Sequence, residues 1–131
     1  SIYIRIWKSY TEFVYEDVSF GNTEVALDEL HKNGIQAEMT IKNVGEYDGY
    51  AVPLVYIAGE QGSVVRRAKE LKGFKKVWLK KGESKRVSIL LPAEAFAVWN
   101  FEMEFKVEPG RVKLILEEMG QTVGSETINL F

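Results

Sequence analysis

Apolar and polar residues alternate along several short segments of this chain, most regularly in IQAEMTIK at residues 35–42. A repeat of two places one set of side chains in a core and the other in solvent, which is the pattern of a β-strand. The alternation recurs at residues 87–91 and 112–117, and turn sequences such as Asn-Gly and Pro-Gly separate these segments. The sequence therefore predicts an all-β fold, although periodicity alone does not separate an immunoglobulin-like sandwich from a small barrel.

Two prolines refine this prediction. Pro53 lies inside the apolar segment 50–58, where it cannot donate a hydrogen bond to a neighbouring strand, so we expect an edge position or a bulge. Pro92 begins the single segment that suggests a helical turn, at residues 92–97. The predicted core consists of Met39, Ile41, Leu54, Tyr56, Leu71, Phe74, Val87, Ile89, Trp99, Val112 and Leu114.

The composition excludes several classes of site. A chain of 131 residues is long enough for one domain with a substantial core. There is no cysteine, and the single histidine, His31, lies in the polar segment LHKNG, which we interpret as a solvated turn. A disulfide framework, a cysteine site and a paired-histidine metal site are therefore excluded, and no cofactor is expected. No apolar run approaches the ~20 residues that span a bilayer, so no membrane partner is predicted.

Basic residues are concentrated in one segment. Residues 66–86 contain ten of the 17 lysines and arginines and two acids, so this segment has a net charge of +8 and the rest of the chain −10. A basic segment beside aromatic residues is one signal of nucleic-acid binding. We favour instead a role in keeping the strands and turns of this segment soluble, because the remaining surface would repel phosphates. No nucleic-acid partner is predicted.

No catalytic arrangement is apparent in the sequence. Glycoside hydrolysis, for example, requires two opposed carboxylates. Glu102 and Glu104 are two residues apart in a strand-like stretch, so they would share one face, and that face is expected to be solvated. Nothing in the sequence indicates the apolar pocket or the close like charge that would raise a carboxyl pKa. We therefore predict that the chain alone is not an enzyme.

Residues 69–100, KELKGFKKVWLKKGESKRVSILLPAEAFAVWN, closely resemble the signature segment of a known domain family. The resemblance continues, in the family's order, in SYTEFVYEDVSF at 9–20, IKNVGEYDGYAVPLVYIA at 41–58 and VEPGRVKLIL at 107–116. That family is the fibronectin type III-like domain at the C-terminus of many family 3 glycoside hydrolases, the β-glucosidases and β-xylosidases. The resemblance implies an immunoglobulin or fibronectin type III-like β-sandwich of about seven or eight strands. Residues 11–131 would form the domain, after a lead-in segment or chain boundary at residues 1–10.

The resemblance also implies a function and a partner. In this family the catalytic carboxylates lie in other domains, and no residue of this chain matches them. The chain would then be a non-catalytic accessory domain that packs on the catalytic domains of a parent glycosidase. The resemblance points to the segment around Tyr10 and to the loop before Lys69 as docking surfaces, and arginine suits such an interface because it can pair bidentately with carboxylates. The candidate docking residues are Tyr10, Phe13, Arg66, Arg67 and Lys69.

A second function class remains, because a fold does not fix a function. The chain would in this case be an independent carbohydrate- or protein-binding module. Sugars stack on exposed aromatic faces, and Trp78 and Trp99 are the candidate stacking residues, although large aromatic side chains also fill sandwich cores. The compartment is not determined by the sequence, because a cysteine-free chain is compatible with the cytoplasm and with a secreted parent.

Overall fold

The computed structural model describes residues 3–7, 11–61 and 64–131 of the chain. Most of these residues lie in β-strands. In chain order the elements are β1 (Tyr3–Trp7), β2 (Glu12–Ser19), β3 (Glu24–Val25), α1 (Leu27–Asn33), β4 (Ile35–Asn43), β5 (Gly49–Ala51), β6 (Leu54–Gln61), β7 (Val64–Phe74), β8 (Val77–Leu79), β9 (Ser84–Leu91), a 3-10 helix (Ala93–Phe96), β10 (Ala97–Trp99), β11 (Phe105–Val107), β12 (Gly110–Glu118) and β13 (Gln121–Leu130).

Two principal sheets enclose one core. The first contains four strands in the order β1-β2-β4-β9, and the second contains five in the order β3-β13-β12-β6-β7. Two small antiparallel pairs, β5–β8 and β10–β11, lie beside them. Neighbouring strands are antiparallel in both principal sheets, except for the parallel pair of β3 and β13. The predicted all-β sandwich is therefore confirmed, and among the described residues its two principal sheets hold nine strands.

The alternation at residues 35–42 has the predicted consequence. In β4, Ile35, Ala37, Met39 and Ile41 are buried, and the residues between them are exposed or partly exposed. Val112, Leu114 and Leu116 of β12 face the same core from the opposite sheet. A period of two thus sets the inward face of both central strands.

The strand predicted around Pro53 is divided into two. β5 ends at Ala51 and β6 begins at Leu54, and the two strands belong to different sheets. The inward residues of β6 are Val55 and Ile57, which are fully buried, whereas Leu54 and Tyr56 are partly exposed. The predicted inward position of Leu54 and Tyr56 was wrong: the buried set on both sides of the break is Ala51, Pro53, Val55 and Ile57. Residues 51–58 are almost all apolar, so their pattern does not indicate which alternate set faces the core.

Two further core predictions were wrong on β7. Leu71 and Phe74 are 47% and 62% exposed. A register shift in the β6–β7 pairing places Leu71 opposite Tyr56 and Phe74 opposite Leu54, on the outer face of the sheet. Gly73 faces inward instead, and a Cβ there would lie 3.0 Å from the side chains of Ile89 and Leu91. The bulge therefore turns a glycine, and not its apolar neighbours, towards the core.

Two short helical elements cover one end of the core. The helical turn predicted near residues 92–97 is confirmed as the 3-10 helix, and its Phe96 is fully buried. The interpretation of LHKNG as a turn was wrong, because His31 lies on α1, whose one buried residue is Leu30. Seven residues give too short a periodic pattern for the sequence to indicate a helix. No helix in the described part of the chain has the length and the apolar character needed to cross a membrane.

Candidate functional site

The buried carboxylates all have partners in the fold. Glu12 forms an ion pair with Arg5, and Glu117 forms one with Lys69. Glu118, which is 1% exposed, accepts hydrogen bonds from the hydroxyl of Tyr15 at 2.5 Å and from the backbone N–H of Val52 at 2.8 Å. Each carboxylate is thus held by a group that stabilises its charge or satisfies its oxygens.

The exposed acids are also poorly placed for acid–base chemistry. Glu102 and Glu104 lie in the turn between β10 and β11, so the expectation that they occupy a strand-like stretch was wrong. Both are exposed, and the Lys106 ammonium beside Glu104, with Asn100 as a second cause, lowers the pKa of the Glu104 carboxyl. A general acid requires a raised pKa. Among the described residues, no cluster of three His, Asp or Glu side chains is arranged to hold a metal ion.

The predicted docking residues do not form one described surface. Tyr10 and the side chains of Arg66 and Arg67 lie outside the part of the structure that is described. Phe13, on β2, is fully buried in the core, so it holds its strand in place and offers no surface of its own. Lys69, on β7, is on the outer face of the five-stranded sheet, where its ammonium pairs with Glu117 and lies 4.7 Å from the ring centroid of Tyr56.

Four of the ten cations in the basic segment, residues 66–86, form ion pairs with acids in the described structure. Besides the Lys69 pair, Lys81 lies 3.2 Å from Glu46, Lys72 lies 3.4 Å from Glu70, and Arg86 lies 4.0 Å from Glu38. Lys85 donates a hydrogen bond to the backbone carbonyl of Trp78. Surface pairs of this kind contribute little to stability, but they reduce the positive potential that phosphate binding would need.

Trp78 belongs to a small aromatic cluster on the β5–β8 pair. Its ring packs edge-on against Tyr50, with ring centroids 4.8 Å apart and an angle of 65° between the planes. The ammonium of Lys76 lies 4.2 Å from the centroid of the Tyr50 ring, so one face of this cluster is covered by a cation. Trp78 remains 41% exposed.

Trp99 lies in a more exposed position, on the β10–β11 hairpin. It is 63% exposed, so its predicted burial was wrong: β10 and β11 pair with each other, apart from the two principal sheets. Its ring packs against Phe105, its partner across the hairpin, with centroids 5.2 Å apart and planes inclined at 44°. The cross-strand pair holds both rings on one face of the hairpin.

The turn of this hairpin is built around Asn100. The Oδ1 atom of Asn100 accepts hydrogen bonds from the backbone N–H groups of Glu102 and Glu104, and its Nδ2 donates to Glu108 at 2.8 Å. Met103 occupies the left-handed region at φ 64°, a conformation that glycine usually provides. The side chains of Phe101 and Met103 are 84% and 82% exposed.

Sequence reasoning singled out Trp99 on this hairpin and missed Phe101, Met103 and Phe105. The signal was present, because these residues alternate with Asn100, Glu102, Glu104 and Lys106. Alternation normally means one buried face. Here the apolar residues from Trp99 to Phe105 are in solvent, although Ala97 and Val98 at the start of β10 are buried, because β10 and β11 form a two-stranded sheet of their own.

A family model for the fibronectin type III-like domain matches residues 51–118, slightly more than half of the chain. The chain belongs to the fibronectin type III-like domain family. Sequence relatives of the domain are family 3 β-glucosidases and β-xylosidases, so the resemblance found in the sequence is confirmed. Thermostable beta-glucosidase B of Acetivibrio thermocellus is 36% identical over 109 residues, which are 82% of this chain and 14% of the enzyme. A beta-xylosidase of Formosa agariphila is 32% identical over 123 residues, 93% of this chain and 16% of the enzyme.

Solved structures agree with the sequence relatives. The fibronectin type III-like domain superposes on the crystal structure of a beta-glucosidase from Listeria innocua in complex with glucose, with a TM-score of 0.81 and 33% identity. The match covers 94% of this chain and 16% of the Listeria chain. The domain therefore spans about one seventh of the length of the proteins it matches.

Proposed function

We propose that this fibronectin type III-like domain is a non-catalytic accessory domain of a family 3 glycoside hydrolase. It packs on catalytic domains in the same polypeptide and stabilises them. The observation that supports the proposal most directly is the coverage: nearly the whole chain matches glycosidases, but it accounts for only 14–16% of their length. The chemistry of such an enzyme would then belong to the larger, unmatched part.

The carboxylates of the domain support a role without catalysis. Retaining and inverting glycosidases need two carboxyl groups facing one sugar from opposite sides. In the described residues, the buried acids Glu12, Glu117 and Glu118 are engaged with Arg5, Lys69 and Tyr15. Glu102 and Glu104 are exposed in a turn, and the Lys106 ammonium lowers the pKa of the Glu104 carboxyl, the opposite of what a general acid needs.

The docking residues implied by the resemblance remain proposals. Lys69 is the one whose described side chain reaches the surface, and it lies on β7, the strand that also exposes Leu71 and Phe74. Arg66 and Arg67 precede it on the same strand, and Tyr10 precedes β2. Phe13 would act only by fixing the position of β2.

Three experiments, one on the isolated chain and two on the full-length enzyme, test this proposal. The isolated chain, incubated with aryl β-glucosides and β-xylosides, should give only the background rate of hydrolysis. Removing residues 11–131 from the full-length enzyme should lower its thermal midpoint or its activity. Within the full-length enzyme, Arg67→Ala should be more damaging than the matched change Lys81→Ala on a distant turn. Turnover by the isolated chain that disappears in Glu102→Gln or Glu104→Gln would contradict the proposal, as would a truncated enzyme that is as stable and active as the complete one.

A second candidate function is carbohydrate binding, favoured by the exposure of Trp78 and Trp99. Affinity electrophoresis of the isolated chain in gels containing xylan or β-glucan distinguishes it from the accessory role. Retardation that is lost in Trp99→Ala or in Trp78→Ala would support binding through that residue. Unchanged migration in both gels would argue against carbohydrate binding, and the accessory role would then be the only candidate function.

A further inference from the structure

One hairpin exposes four large apolar side chains within seven residues. β10, β11 and the turn between them occupy residues 97–107, here called the aromatic hairpin. On it, Trp99, Phe101, Met103 and Phe105 are 63, 84, 82 and 55% exposed. Soluble proteins seldom leave a concentrated apolar surface in water, and such surfaces usually mark interaction sites.

The aromatic hairpin is held in one conformation by polar contacts. The backbone N–H of Asn100 donates to the carbonyl of Glu104 at 3.0 Å, and the N–H of Met103 donates to the carbonyl of Asn100 at 3.1 Å. The side chain of Asn100 also accepts hydrogen bonds from the backbone N–H groups of Glu102 and Glu104 and donates one to the Glu108 carboxylate. An ordered turn loses little conformational entropy on binding, which favours docking of a preformed shape.

The base of the aromatic hairpin is anchored in the domain. Ala97 and Val98 are buried, and Phe96, immediately before them, is fully buried. Val107, at the other end, packs against the core. The exposed residues thus project from a fixed support, so their position relative to the sandwich is defined.

The geometry of the aromatic hairpin suits a protein recess better than a sugar. The rings of Trp99 and Phe105 are inclined at 44°, so they do not form one flat platform. Phe101 and Met103 have no side-chain hydrogen-bonding donor, whereas ligand sites combine apolar contacts with placed polar groups. A sugar stacked on one ring would leave the other apolar side chains in water.

We infer that the aromatic hairpin is a docking element that inserts into an apolar recess on the adjoining domain of the same polypeptide. This inference rests on the proposed accessory function, and it assigns the contact with the adjoining domain to the aromatic hairpin. About six sevenths of each matched glycosidase lies outside the region that this chain covers. A neighbouring domain of the same polypeptide is therefore the partner that would supply the recess. Glu102, Glu104 and Glu108 lie between or just after the apolar residues in the sequence, and Lys106 is the one cation among residues 97–107. The recess should therefore have a basic rim.

The three methionines of the chain provide a direct test. Met103 is at the tip of the aromatic hairpin, Met119 is 64% exposed in the turn between β12 and β13, and Met39 is fully buried. Met103 and Met119 are matched controls, because both adopt the left-handed conformation, at φ 64° and φ 54°. Hydrogen peroxide converts accessible methionine into its sulfoxide, and peptide mass spectrometry measures the rate at each position.

In the isolated chain, Met103 and Met119 should oxidise at comparable rates, and Met39 much more slowly. In the full-length enzyme, Met103 should oxidise at least about fivefold more slowly than in the isolated chain, while Met119 is unchanged. Equal rates for Met103 in the two proteins would overturn the inference. Protection of Met103 that appears in the isolated chain as its concentration rises would also overturn it, because a second copy would then be the occupant.

Substitutions separate this inference from the accessory function itself. In the full-length enzyme, Phe101→Ser and Met103→Gln should lower the thermal midpoint by about 2–4 °C, whereas Met119→Gln should not. In the isolated chain, all three variants should have the same thermal midpoint as the unsubstituted chain, because these side chains are already exposed. If deletion of residues 11–131 destabilises the enzyme and the hairpin substitutions do not, the accessory function stands and the docking assignment is wrong. If neither change has an effect, both fail.

Discussion

The hydroxyl of Tyr15 on β2 donates a 2.5 Å hydrogen bond to Oε1 of Glu118 at the end of β12. The bond joins the two principal sheets through the core, and both residues are almost completely buried. The same carboxylate oxygen accepts the N–H of Val52, at the break between β5 and β6. One buried acid therefore connects both sheets and the strand break.

Removing the Tyr15 hydroxyl should weaken the domain. Tyr15→Phe keeps the ring in the core but removes a donor from a buried carboxylate, so we expect a loss of about 1–3 kcal/mol in the free energy of unfolding. Urea denaturation measures this loss. Tyr47→Phe is the control, because Tyr47 is 63% exposed and should tolerate the change. Equal midpoints for the two variants would mean that the hydrogen bond to Glu118 does not contribute to stability.

The same pair predicts a dependence of stability on alkaline pH. Burial, and then the charge and hydrogen bond of Glu118, raise the pKa of Tyr15 far above its ordinary value of about 10. A group whose pKa is raised by folding contributes its full stability below the unfolded pKa and loses it as pH rises. Relative to Tyr15→Phe, the parent chain should therefore lose roughly 1.4 kcal/mol per pH unit above about pH 10. Parallel stability curves for the two proteins between pH 8 and 11 would contradict this prediction.

Truncation of Ile89 tests the predicted inward face of β9. Ile89 is 3% exposed and belongs to the core cluster. Ile89→Ala should lower the free energy of unfolding by roughly 2–5 kcal/mol, through lost burial and the cavity left behind. Leu90→Ala is the matched control on the same strand, because Leu90 is 53% exposed. A thermal midpoint for Ile89→Ala within error of the parent would show that the site repacks without cost.

The ion pair on the aromatic hairpin should be visible in a titration. Lys106 lowers the pKa of Glu104, and Glu104 in turn raises the pKa of Lys106. Since the Glu104 pKa is depressed on folding, its contribution is present above the ordinary glutamate pKa and is lost as pH falls through the lowered value. Lys106→Met should move the pKa of Glu104 upward, and Lys113→Met should leave it unchanged, as followed by NMR of the side-chain carboxyl carbon. High salt should reduce the shift, because both groups are exposed.

The fold was predictable where the sequence pattern is long and regular. The nine-residue strand β4 places Met39 and Ile41 inside, as its alternation predicts. Prediction failed for Tyr56, because both alternate sets of residues in β6 are apolar, and for Leu71, because a bulge changes the face of β7 without changing the local pattern. Bulges depend on pairing with another strand, and a single strand's sequence does not contain that information.

The candidate sites were less predictable than the fold. Trp99 was expected in the core on the basis of its size, and its exposure depends on how far the aromatic hairpin extends past the sandwich. Glu118 gave no signal, because the bond to Tyr15 joins residues 103 positions apart. Such long-range polar contacts follow from the assembled sheets and become apparent only in three dimensions.

The irregular edge strand β7 has a consequence for aggregation. A straight, apolar edge can accept a strand from another molecule and begin a cross-β assembly. β7 is the last strand of the five-stranded sheet, and its pairing with β6 is interrupted by two register shifts. Lys69 and Lys72 add charge along it. We therefore expect a concentrated solution of the domain to resist fibril growth at this edge, and replacing these lysines with valine should make it prone to amyloid formation.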